Sequence, residues 1–144
     1  MTEFTEDQIE AAARAAHEVN RAYCREVIHD HSHIPWDYVP DEVKEGVLSG
    51  VRALVENPNM TPADGHDVWC RFKRERGWVY GPAKSRDAKT HPRLVEFEHL
   101  SMIQRARCTI FGLVARASLG LEHTSTIDNQ EMRGTYLIKG QVGQ

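Results

Sequence analysis

Apolar residues return every three to four positions in four separate stretches of this chain, and proline, glycine or asparagine marks the breaks between them. Each such stretch must be a helix with one apolar stripe, and stripes of this kind are stable only when packed against one another. The first carries Ile9, Ala12, Ala13, Ala16, Val19, Tyr23 and Val27 behind a capping-box pair, Thr5 and Gln8, and should end near His29. The second starts at Pro40, aligns Val43, Val47, Gly50, Val51 and Leu54, and stops at Asn57-Pro58. Gly46 and Gly50 sit one turn apart on it, which plain packing explains. Thr61 as N-cap and Pro62 in the first turn open a third, with Val68, Trp69 and Phe72, that stops at Gly77. Its other side is basic, through Arg71, Lys73, Arg74 and Arg76. The fourth runs from about Glu98 to Leu119 and has Gly120 as its C-cap.

The segments between helices carry no period. Residues 29–36, HDHSHIPW, read as a loop leading to Trp36. Residues 78–97 contain Gly81, Pro82 and Pro92 and exclude a regular helix, leaving room for short strands at Trp78–Tyr80 and Leu94–Phe97. The expected fold is therefore mainly α, a compact set of about four helices with short strand pieces and an irregular loop. One domain should span residues 1–120, followed by a polar tail, 121–144, whose run Tyr136–Ile138 suits a short strand.

Several functions are disfavoured by the totals. A net charge of −3 argues against a nucleic-acid binder. No apolar run approaches the roughly 18–20 residues that cross a bilayer, and the opening MTEFTEDQIE is acidic where a signal peptide is basic and then apolar. A cytoplasmic protein is expected, in the host cytoplasm if the gene is viral. Cys24, Cys70 and Cys108 are odd in number and far apart, so buried reduced thiols are expected rather than a disulfide framework or metal site. His29, His31 and His33 alternate in a loop without a fixed second shell, which favours a solvated loop over metal binding. No nucleophile elbow, P-loop, HExxH or Gly-x-Gly-x-x-Gly is present, and neither catalysis nor a cofactor is expected.

The run Gly-Trp-Val-Tyr-Gly-Pro-Ala-Lys-Ser-Arg-Asp-Ala-Lys-Thr-His-Pro-Arg-Leu-Val, residues 77–95, resembles the signature of the ryanodine-receptor repeat (RyR) domain family. In that family a Gly-Trp-x-Tyr-Gly element is followed by Lys-Thr-His-Pro. His17, Glu18, Asn20 and Tyr23 are similar to its first helix, and Pro35-Trp36, Gly50-Val51, Asn57-Pro58 and His66-x-x-Trp69 fit its middle; the resemblance spans roughly residues 12–119. The fourth helix departs from the pattern, reading Leu100-Ser101-Met102-Ile103-Gln104-Arg105-Ala106-Arg107-Cys108 where relatives carry acidic positions. In the receptors such repeats form tandem pairs far from the pore, so the resemblance implies a binding or sensor module, with homodimerisation as a route by which a single bacterial or phage copy recovers the pairing. It also implies an association with nucleotide signalling and defence.

Within residues 69–93, Trp69, Trp78 and Tyr80 are interleaved with Lys73, Lys84, Lys89, His91 and Arg93. Aromatic faces for stacking and cations for an anionic group are what a flat, negatively charged ligand requires. Gly81 and its loop offer backbone N–H groups to an anion, Thr90 adds a hydroxyl, and Tyr23 and Trp36 complete an aromatic wall if the loops fold back. The expected partner is a small molecule, nucleotide-like or otherwise aromatic and anionic, with neither nucleic acid nor membrane involved. The alternative is a protein-interaction module forming a homodimer, in which the same aromatics are core. Burial decides between the two, and the sequence does not give burial.

Overall fold

The computed structural model describes residues 3–121, and within them the architecture is mainly α. Helix α1 spans Glu6–Tyr23, α2 Asp41–Glu56, α3 Pro62–Glu75 and α4 Met102–Leu119. Strands β1, Val79–Tyr80, and β2, Thr90–His91, lie between α3 and α4. None of the helices among the described residues is long and apolar enough to cross a membrane.

The helix starts follow from local chemistry. Thr5 and Gln8 form a reciprocal capping box on α1, and Thr61 and Asp64 form another on α3 with Pro62 behind the cap. Pro40 stands at the N-cap of α2, one residue before the helix begins. Gly77, at φ 87°, turns the chain out of α3 while its N–H bonds the Arg74 carbonyl and the Trp78 N–H bonds that of Lys73. Helix α1 runs into a π-helical turn, Cys24–Ile28, ended by His29 at φ 60°. His29 and His31 are exposed, and no three metal-ligating side chains cluster among the described residues.

The stripes meet as the periodicity requires. Ile9, Ala12 and Ala13 of α1 share a core with Val51 and Leu54 of α2 and with Ala115 and Leu119 of α4. Small residues on α1 let it lie close along α4. Gly46 and Gly50 of α2 serve the same end: a Cβ there would stand 3.1 Å from the Phe72 ring and 2.9 Å from the Phe111 ring. Arg116 is buried in α4, with its guanidinium donating to the carbonyls of Pro58 and Met60, so α4 is pinned to the α2–α3 turn. Leu121, expected in the tail, packs against this core, whereas the Tyr136–Ile138 run lies outside the described residues.

Two expectations need correction. Residues 94–97 form no strand. Leu94 is buried beside Cys70 and Trp78, and Phe97–His99 make a 3₁₀ turn. Helix α4 consequently starts at Met102 rather than near Glu98, where the Ser101 hydroxyl accepts the Gln104 N–H at 3.2 Å. Strands β1 and β2 run parallel, Val79 opposite Thr90 and Tyr80 opposite His91. Thr90 crosses directly over Gly81, where a Cβ would lie 2.6 Å from the Thr90 Cβ. Gly81→Ala should therefore destabilise the fold by about 1–3 kcal/mol through overpacking, measured as a lowered urea midpoint. An unchanged midpoint would show that the loop can yield there.

Candidate functional site

The irregular loop after α3 closes over the helices and leaves a cavity of about 360 Å³. One wall is apolar and comes from α2, with Val39 and Pro40 before it and Val43 and Val47 on it, and from Phe111 of α4. The opposite wall holds two indoles. Trp78 is buried with Cys70 and Leu94, while Trp69 packs against that cluster. His91, at the end of β2, lies between them, edge-on to Trp69 at 4.9 Å and 6.5 Å from Trp78.

Positive charge gathers around these rings. Lys73 places its ammonium 4.4 Å from the Trp78 ring centre, and Arg93 its guanidinium 4.6 Å from that of Trp69. Lys84 and Arg86 from the loop and Arg107 from α4 complete the set. None of these five cations forms a salt bridge with a carboxylate among the described residues. Glu42, which accepts the Trp78 Nε1–H at 3.4 Å, is the carboxylate of the main cavity. Arg107 donates instead to the amide oxygens of Asn20, at 2.9 Å, and Gln104, at 3.0 Å. The Arg93 Nε is sealed from solvent without a hydrogen-bond partner.

The titrating groups respond accordingly. Burial, reinforced by Arg107, pushes Arg93 down to about 9, which leaves it cationic at neutral pH. Burial lowers Lys73 and Lys84 as well, with Glu42 and Asp30 partly offsetting the effect. His91 falls to about 3 through burial and the neighbouring cations, and its Nδ1 accepts the Arg93 N–H at 3.1 Å, so the ring is neutral with its proton on Nε2. His33 falls to about 4 for the same reasons despite Asp30 at 3.4 Å. His66 donates from Nε2 to the Val95 carbonyl at 2.8 Å, and burial lowers its pKa. Cys70 lies 3.3 Å from that nitrogen, but burial raises its thiol, so the pair holds no thiolate at neutral pH.

The family model for the RyR domain matches residues 38–110. The chain belongs to the RyR domain family. Comparison with curated proteins gave no match. The match is narrower than the resemblance over residues 12–119, yet it carries α2, α3, the loop and the first half of α4. The cavity of this RyR domain extends further, because Ala16, His17 and Asn20 of α1 and the loop residues Ser32, His33 and Ile34 also line it.

Of the residues singled out from sequence, Trp69, Lys73, Trp78, Lys84, His91 and Arg93 line the cavity. The others do not. Tyr23 turns to α4, donating its hydroxyl to the Ile103 carbonyl at 2.9 Å. Trp36 is core, 1% exposed, with its backbone N–H donating to the Glu18 carboxylate. Tyr80 is 58% exposed, because β1 has no sheet beyond β2 to cover it. Gly81 gives room to Thr90, whose hydroxyl donates to the Ala83 carbonyl at 2.9 Å. Lys89 donates to the Arg76 carbonyl at 2.8 Å and so fastens the loop to the end of α3. The residues missed are Arg107, Asn20, Glu42, Arg86 and the apolar wall of α2. No local signal marked Asn20 or Arg107, since each stands among other polar residues on its helix.

Neutral His91 and His33 make stability depend on pH. The folded chain resists protonation that the unfolded chain accepts near pH 6.5, so their contribution is full above that pH and is lost as pH falls toward 4 and 3. The unfolding free energy, read from urea titrations, should drop between pH 6.5 and 4.5. His91→Gln should shrink this drop by about 1 kcal/mol or more; equal slopes would mean that His91 is not held neutral.

Proposed function

We propose that this RyR domain is a binding module for a small anionic ligand with a flat, unsaturated part, and that it senses or sequesters that ligand without reacting with it. The observation that carries the reading is the convergence of five cations without carboxylate partners beside two indoles in one cavity. Lys73, Arg93 and Arg107 are half-buried and Lys84 and Arg86 are exposed at the rim; unpaired charge held partly out of water is unfavourable, and a bound anion relieves it. The indole faces and the valine wall supply apolar contact for a ring. Ligand pockets span about 300–1,000 Å³. The 360 Å³ cavity sits at the small end, which favours a mononucleotide-sized ligand over a cyclic dinucleotide.

The absence of chemistry in this proposal rests on the state of the candidate groups. Cys70 is a protonated thiol, and the His66 Nε2 proton is committed to the Val95 carbonyl. His91 is too weak a base, at about 3, to accept a proton near neutrality. The free cysteines suit a reducing compartment, and the cytoplasm is the proposed location.

A thermal-shift screen of mononucleotides, cyclic dinucleotides and aromatic carboxylates tests the reading. A ligand at a hundred times its Kd should stabilise the protein by about 2.7 kcal/mol, and Trp69→Ala should lose most of that response while remaining folded. No shift across the library, or equal shifts in wild type and variant, would remove the cavity as the binding site.

A further inference from the structure

The main cavity continues into a smaller hollow of about 130 Å³, and the two share His33, Lys84, His91, Arg93 and Arg107. Resting on the reading of the cavity as an anion site, we propose that this shared end is a phosphate subsite in which Lys84, Arg93 and Arg107 hold a phosphoryl group directly, with no bridging metal ion. The three cations come from separate places in the chain: the loop, the segment after β2, and α4. Nothing in local sequence forces them together, and their mutual repulsion opposes it.

The donor set favours phosphate over carboxylate. The enclosed Arg93 has an Nε that no group in the protein accepts from. Arg107 is held in place by two neutral amide oxygens, which orient the guanidinium without forming an ion pair with it. A carboxylate brings one negative charge and suits a single guanidinium fork, so it would leave two of the three cations unmatched. A terminal phosphoryl group brings close to two charges and three acceptor oxygens. Both imidazoles at this end are neutral, so the three cations, offset in part by Asp30, set the charge that the anion meets.

The same inventory argues against a metal bridge. Asp30 is the carboxylate that lines the hollow, and it accepts the Ser32 N–H at 2.9 Å and sits 3.4 Å from His33. A magnesium or calcium ion bound between protein and phosphate draws on several oxygen ligands, and a site with this excess of cations repels it. The ring of the ligand then lies toward Trp69, Trp78 and the α2 wall, at the wider end.

Titration calorimetry on the full chain, with inorganic phosphate, phenyl phosphate and benzoate as probes at matched ionic strength, tests the subsite. Phenyl phosphate should bind more tightly than both, and chelation of divalent ions should change nothing. Lys84→Gln and Arg107→Gln should each weaken phenyl phosphate binding by about tenfold or more, the value of one charge-assisted hydrogen bond. Lys84→Gln should not lower the melting temperature of the unliganded protein, since it relieves crowding among cations; a merely structural lysine would lower it. Equal affinity for benzoate and phenyl phosphate, undiminished binding in both variants, dependence on magnesium, or no binding of any probe would each overturn the phosphate subsite. Binding of both phenyl phosphate and benzoate with wild-type strength in both variants would do so while leaving the anionic-aromatic reading of the wider cavity intact.

Discussion

His91 packs edge-on to Trp69 and tilted toward Trp78, and these ring contacts help tie the irregular loop to the helical core. A segment of this length with so little regular structure would otherwise move over the surface. Here the imidazole is neutral, so it enters an aromatic layer without a buried charge, and its Nδ1 fixes the backbone at Arg93. The two-residue parallel pairing and the Lys89 contact with the end of α3 hold the rest. Lys84, Arg86 and Arg93 reach the cavity because of this clasp, and the cavity has its outer wall for the same reason.

The site combines two demands that folding alone would not join. Its apolar side is built like any core, from valines on a helix that carries Gly46 and Gly50 so that the Phe72 and Phe111 rings can approach. Its polar side gathers guanidinium and ammonium groups whose pKa values are lowered by burial and, at Lys73 and Arg93, by neighbouring cations. Elsewhere the protein pairs its charges conventionally, as in the Arg52–Glu6 bridge, or satisfies them with carbonyls, as at Arg116.

The helices were legible because their signals are local. Capping boxes at Thr5 and Thr61, the Asn57-Pro58 stop and the turn at Gly77 each act within a few residues, and the structure places boundaries beside them. The start of α4 was misjudged because Glu98 continues a helical composition, and only the Ser101 cap four residues from Phe97 shows where the 3₁₀ turn gives way to α-helix. Leu94 read as part of a strand because an apolar residue after proline has no period of its own, and packing against Cys70 and Trp78 determines its role.

Sequence by itself determined the family signature in residues 77–95, the number of helices and their apolar faces, and the concentration of aromatic and basic residues around the loop. Tertiary structure decided which of those residues meet. Trp69 and Trp78 face a cavity while Trp36 is core and Tyr80 is exposed, and Arg107 joins a cluster that no motif announced. The physical reason is that propensity and capping are set by neighbours in the chain. A cavity is set by the relative placement of elements far apart in it, here α1, α2, α4 and a loop held down by His91, Lys89 and the β1–β2 pairing.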